Sequence, residues 1–178
     1  MVLGHKRLVL EEDLVLGLAS KSQIGPASVD LRLGDSVLVP VKTGEALQLG
    51  GQMQYEQHQF SQFEPFVIKP GQFVLATTME RIVLPRNIAG FVQGRSSIGR
   101  VGLTTQNAGF IDPGFFGHIT LELVNEGPDD IALIPGYRVV QVVFYEVDKN
   151  DTPYMGKYNG QQDPTGSRMH LDEEVSCR

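Results

Sequence analysis

The chain has 178 residues, enough to bury a real core in a single domain. Its composition, 41% hydrophobic and 20% charged, is that of an ordinary globular protein, with no apolar run approaching the roughly 20 residues of a membrane-spanning helix. A net charge of −6 argues against a general nucleic-acid binder, so an anionic ligand would need a local basic site.

The opening run MVLGHKRLVLEEDLVLGLAS carries acids inside its apolar stretch and is not expected to act as a signal peptide. The single cysteine, Cys177, rules out a disulfide framework and fits a reducing, cytoplasmic compartment. Residues 10–19, LEEDLVLGLA, place apolar side chains at helical spacing and predict an N-terminal helix. Next, SVDLRLGDSVLVPV alternates apolar with polar residues and predicts a strand. Residues 44–64 are rich in Gly and Gln without periodicity, which predicts a long loop or irregular strands.

Short β-like runs follow: FVIKP, FVLATTMERIVLP, IAGFVQG, GHITLELVNEG, DIALIP and RVVQVVFYEV. The dipeptides Pro70-Gly71, Pro113-Gly114 and Pro135-Gly136 punctuate them as turns. Many short strands with little helix predict a mainly β fold, a jelly-roll or β-barrel, without an internal repeat or domain boundary. From residue 148 onward the chain is polar and aperiodic, a tail or lid that becomes ordered by docking on something.

Three segments carry more functional side chains than structure requires. RSSIGR (95–100) predicts one helical turn in which Ser96 and Arg100, at i and i+4, share a face. Arg95 and Arg100 are five apart, roughly 140° around a helix, and point differently. Ser96, Ser97, one arginine and free backbone N–H groups could receive a small oxyanion; the competing reading is a capped surface turn. In GHITLEL, Ile119, Leu121 and Leu123 share one strand face, with His118, Thr120 and Glu122 on the other. Glu122 could serve as a general base with its pKa raised by burial, or be an exposed strand carboxylate. Asp112 precedes a Pro-Gly turn, where an Asp commonly caps. In the tail, Tyr154, Lys157, Tyr158, Gln161, Ser167 and Arg168 could close over a nucleotide, or fray. The remaining aromatic and Met residues read as core filler.

No GxxxxGK[ST] is present, and His5, His58, His118 and His170 are scattered. Without H-x-E or C-x-x-C, a zinc deaminase is excluded.

Taken together, PASVDLRLG, FVLATTMERIVLP, GRSSIGR, NAGFIDPGFFGHITLEL, PGYRVVQVVF and PYMGKYNGQ…PTGSR resemble, in order and spacing, the dCTP deaminases and their relatives the trimeric dUTPases. The resemblance implies a distorted jelly-roll and a homotrimer with active sites at subunit interfaces. It matches Arg95, Ser96, Ser97, Ile98, Gly99 and Arg100 to a triphosphate-binding and catalytic turn. Glu122, flanked by the substrate-contacting Thr120 and Leu121, matches the glutamate that activates water for attack on cytosine C4. Ser96 and Arg100 match the pair that positions this water. Asp112 matches the aspartate that holds the deoxyribose 3′-hydroxyl. Gln141, Tyr154, Lys157 and Gln161 match further nucleotide contacts. By the same resemblance, Mg²⁺ arrives with the triphosphate and no protein side chain ligates it.

Where strictly deaminating members carry a His-x-Thr-Ala-His-Arg-like run before Ile-Asp, this chain has TTQNAGFID, without histidine. That form is similar to bifunctional members, which take dCTP to dUMP and pyrophosphate. A deaminase releasing dUTP is the nearest alternative, and a non-catalytic nucleotide-binding regulator the alternative of another class.

Overall fold

The computed structural model describes residues 1–105, 109–148 and 152–176. Eleven strands occur among them: β1 (Val15–Leu16), β2 (Val29–Pro40), β3 (Tyr55–Gln59), β4 (Phe66–Ile68), β5 (Phe73–Val83), β6 (Ile88–Gly94), β7 (Leu103–Thr105), β8 (Phe110–Ile111), β9 (Phe116–Asn125), β10 (Ile131–Leu133) and β11 (Arg138–Glu146). Short helices are α1 (His5–Leu10), α2 (Ser96–Gly99) and α3 (Glu173–Ser176). None is long and apolar enough to cross a membrane.

The main sheet runs β7-β9-β5-β2-β11-β6-β8, with β1 added on β5 and β3 on β2; β10 and β4 form a separate antiparallel pair. Every pairing is antiparallel. The two ends of the path, β7 and β8, are consecutive in sequence, so the sheet curls back on itself in the mainly β architecture that the strand pattern predicts.

Register shifts occur between Leu33 and Val37 on β2 and between Thr77 and Arg81 on β5, where the strands bend. At the second shift the buried Thr78 hydroxyl accepts from the Ile119 N–H (3.0 Å) and donates to the Glu80 carbonyl (2.8 Å), replacing ladder bonds. Next to it Glu80 is fully buried. It accepts from the Arg32 backbone N–H and Nε, both at 2.6 Å, and from Gln23 Nε2 at 2.8 Å. This buried cluster ties β2 to β5, because a desolvated carboxylate persists only with such partners.

Alternation places Leu31, Leu33, Val74, Ala76, Ile119, Leu121, Leu123, Val140, Val142 and Phe144 in one core. All three Pro-Gly turns have glycine at positive φ (76°, 92° and 85° at Gly71, Gly114 and Gly136). The following N–H closes each turn onto the carbonyl three residues back, at 2.9, 3.1 and 3.4 Å, a type II arrangement that favours Pro then Gly.

The N-terminal helix differs from the prediction. It covers His5–Leu10 rather than 10–19, and Val15–Leu16 instead form β1 against Ile82 and Arg81 of β5. The reason is tertiary: Val15 is buried in the core through this pairing, whereas Leu10 is 74% exposed, so packing overrides local periodicity. Within the Gly/Gln-rich 44–64 region the only regular strand among the described residues is β3, an edge addition to β2.

Candidate active site

A cavity of about 520 Å³ opens against the middle of β9. Thr120, Leu121 and Glu122 of β9 line it, with Phe73 and Leu75 of β5, Val92 of β6, Thr105 of β7 and Phe110 and Ile111 of β8. Asp112, Phe115 and the tail residues Tyr154, Tyr158, Gln161, Thr165, Gly166, Ser167 and Met169 complete the wall with Leu47, Met53 and Tyr55. A mostly apolar pocket with a few convergent polar groups is the usual form of a small-molecule site.

Glu122 projects from the less buried face of β9, opposite Leu121 and Leu123, with Leu75 as its cross-strand partner. Its carboxyl makes no hydrogen bond or ion pair among the described residues, and burial against the apolar wall raises its pKa above the ordinary glutamate value. Desolvation of this kind favours the protonated form and suits a carboxyl group that takes a proton and returns it. Asp112 stands at the cavity edge, exposed, at the first position of the Pro113-Gly114 turn; its backbone carbonyl closes the turn. Its side chain caps nothing among the described residues.

The tail docks, as a lid would. The Tyr154 N–H donates to the Pro113 carbonyl (2.8 Å) and the Gly160 N–H to that of Phe116 (2.8 Å). His118 N–H donates to the Gln161 carbonyl at 2.9 Å, and Gln161 Nε2 returns a bond to the His118 carbonyl at 2.7 Å. Thr120 Oγ1 donates to Gln161 Oε1 (3.3 Å) and accepts from the Thr165 N–H (3.1 Å). Lys157 does not line the cavity; its Nζ is bound to Asp172, and that bond raises its pKa.

The resemblance matches Arg95–Arg100 to the same site as Glu122, one expected at a subunit interface; in the single chain none of these six residues lines the cavity. They do form the predicted turn: Arg95 is the N-cap of α2 and the Arg100 N–H donates to the Ser96 carbonyl at 3.0 Å. Ser96, Ser97, Gly99 and Arg100 are exposed, with Ile98 partly packed on the core. Arg95 Nη2 lies 3.3 Å from Asp30 and its Nη1 donates to the Arg138 carbonyl at 2.9 Å. Arg138 also faces Asp30, at 3.6 Å, and Gln141, opposite Asp30 across the β11–β2 register, accepts from Ser28 Oγ at 3.0 Å. Two groupings of the expected site residues thus exist in one chain: Glu122, Asp112, Thr120, Leu121, Tyr154 and Gln161 at the cavity, and Arg95 and Gln141, with Asp30 and Arg138, outside it.

Tyr55, Phe73 and Thr105 also line the cavity, although no pattern in the sequence marks them and the aromatic residues outside the tail read as core. Phe115 does both, being 6% exposed and lining the cavity. Its position in the Asp-Pro-Gly-Phe run next to Asp112 was the available signal; for Tyr55, in an aperiodic segment, there was none. The TTQNAGFID departure falls partly on Gln106, Asn107 and Ala108, which lie outside the described residues.

Residues 4–147 match the model of the dCTP deaminase-like family. The chain is 41% identical to the "dCTP deaminase, dUMP-forming" of Persephonella marina, covering 98% of this chain and 100% of the relative. It is 45% identical, with the same coverage, to the protein of that name from Sulfurihydrogenibium sp.. A solved structure, the 2′-deoxycytidine 5′-triphosphate deaminase from Agrobacterium tumefaciens, superposes with a TM-score of 0.63 at 23% identity, over 80% of this chain and 48% of that one. This last likeness is one of fold. Matched over most of its length by the family model and nearly end to end by relatives above 40% identity, the chain belongs to the dCTP deaminase-like family.

Proposed function

We propose that this protein deaminates dCTP at cytosine C4 and cleaves the resulting dUTP to dUMP and pyrophosphate. The observation that carries the reading is Glu122: a carboxyl with a raised pKa, free of ion pairs among the described residues, on the wall of a nucleotide-sized cavity. The dUMP-forming relatives support the second step. In the first step Glu122 takes a proton from water as the oxygen attacks C4 and passes it to the ring nitrogen; it then carries the proton of the new C4 hydroxyl to the exocyclic amine, which departs as ammonia as the C4 carbonyl forms. In the second, water adds at the α-phosphorus and pyrophosphate leaves. The substrate is the Mg²⁺ complex of the triphosphate, its oxygens holding the ion.

In this reading Ser96 and Arg100 position the attacking water and Asp112 holds the sugar hydroxyl. Arg95, Ser97 and the Ile98-Gly99 backbone meet the phosphates; Thr120, Leu121, Gln141, Tyr154, Lys157 and Gln161 contact the nucleotide. The separation of Arg95–Arg100 from the Glu122 cavity supports a homotrimer in which one copy's turn completes its neighbour's site. Residues 1–178 act as one cytoplasmic unit with the tail as its lid.

Incubation with Mg²⁺ and dCTP, and separately with dUTP, tests the reading by product analysis. Ammonia, dUMP and pyrophosphate as first products from dCTP are expected; accumulation of dUTP would reduce the activity to deamination alone. Absence of any dCTP turnover would leave a nucleotide-binding regulator.

A further inference from the structure

The tail is secured at two places that lie far apart in the sequence. Its first half follows the Pro113–Thr120 segment through the bonds described above, ending at the Thr165 N–H on Thr120. Two residues later it meets β3: the Ser167 N–H donates to the Tyr55 hydroxyl at 3.1 Å. Between these anchors Gly166 sits against the Tyr55 ring, so closely that a Cβ built on it would fall 2.4 Å from ring carbon Cε2. Farther on, Val175 packs where Gly50 leaves room, a Cβ there falling 2.6 Å from Cγ2. The segment before β3 therefore also meets the end of the tail, at Gly50 and Val175.

We propose that Tyr55 is a positioning residue for the nucleotide site, clasping the tail closed over the Glu122 cavity; the substrate part of this claim rests on the deaminase reading above. Beyond Tyr154, the tail's share of the cavity wall is Tyr158, Gln161, Thr165, Gly166, Ser167 and Met169, and the second anchor of that stretch is Tyr55. A phenol suits this position, since the ring gives a rigid flat seat and the hydroxyl satisfies a backbone N–H that closure removes from water. A closed tail also encloses the bound nucleotide, which favours binding more than the chemical step.

Two readouts test the clasp. Trypsin cleavage after Arg168, followed by mass spectrometry on the ligand-free protein, reports tail opening without any catalysis. Losing one neutral hydrogen bond, Tyr55→Phe should speed this cleavage about fivefold and raise the KM for Mg²⁺–dCTP by about the same factor, with kcat changed less than about twofold. Gly166→Ala, whose Cβ collides with the ring, should do the same or more. In the double variant Tyr55→Ala/Gly166→Ala the added methyl meets no ring, so its effects should equal those of Tyr55→Ala alone. Unchanged cleavage in Tyr55→Phe, or additive losses in the double variant, would overturn the clasp. Faster cleavage with an unchanged KM would overturn its role in substrate binding. Should the wild-type protein turn over no dCTP, the deaminase reading fails while the cleavage rates still judge the clasp.

Discussion

Replacing Glu122 by Gln separates the chemistry of this site from its stability, in opposite directions. The substitution preserves shape on β9 and removes the group that accepts a proton. Loss of a positioned general base costs about 10²–10⁴ in rate, so kcat for ammonia release should fall by that range while dCTP binding by calorimetry persists. Burial raises the Glu122 pKa in the folded protein, so the native state holds its proton more tightly than the unfolded chain does. Stability associated with this group is therefore fully present at low pH and is lost as pH rises through the raised pKa. Glutamine avoids that loss. The variant's stability at neutral pH should therefore be no lower than that of the wild type, with a small gain at most, because solvent screens this half-buried group. In the wild-type enzyme the same shift moves the acidic limb of kcat/KM above the ordinary glutamate value, because the working form is the carboxylate. A variant retaining deamination within tenfold of wild type, or keeping the acidic limb unchanged, would refute the assignment of Glu122 as base.

Two further substitutions test other parts of the structure. Glu80→Ala removes the acceptor of the Arg32 backbone N–H and Nε and of one Gln23 Nε2 proton and leaves a buried hole, and should cost about 3–5 kcal/mol in urea denaturation; a loss below about 1 kcal/mol would mean the cluster is not what ties β2 to β5. Arg95→Ala should raise the KM for Mg²⁺–dCTP about 10- to 100-fold, as expected for losing a charge-assisted phosphate contact, and an unchanged KM would contradict the phosphate role.

The parts of this fold that the sequence announced are those decided locally. RSSIGR forms its turn because the i to i+4 bond closes within the segment, and the faces of β9 follow from a two-residue period. The three Pro-Gly turns need no distant partner either. By contrast, residues 10–19 carried a helical pattern that β5 overrode by pairing with Val15 and Leu16, a contact made across more than sixty residues of chain. The clasp on the tail joins residues separated by 112 positions, and Tyr55 sits in a run whose composition signals only loop. The resemblance named Arg95 and Glu122 as parts of one site and expected that site at a subunit interface. No local pattern shows that α2 in a single chain lies away from the cavity holding Glu122.

That separation has a consequence that mixing experiments can read. If each site combines Glu122 of one copy with the Arg95–Arg100 turn of a neighbour, a Glu122→Gln copy still offers an intact turn and an Arg95→Ala copy still offers an intact base. Each homogeneous variant then lacks one component in every site. In trimers formed by refolding the two together at equal concentration, a site works when its base comes from an Arg95→Ala copy and its turn from a Glu122→Gln copy. Random assembly meets both conditions in about one site in four, so deamination at low dCTP should return to about a quarter of the wild-type rate. If Glu122 and Arg95 instead served the same site from the same copy, every site would carry one defect whatever the mixture. Activity would then stay at the average of the two variants. A mixture that never exceeds that average, with hybrid trimers verified by native mass spectrometry, would place both groups in one chain's own site and require α2 to swing toward the cavity on binding.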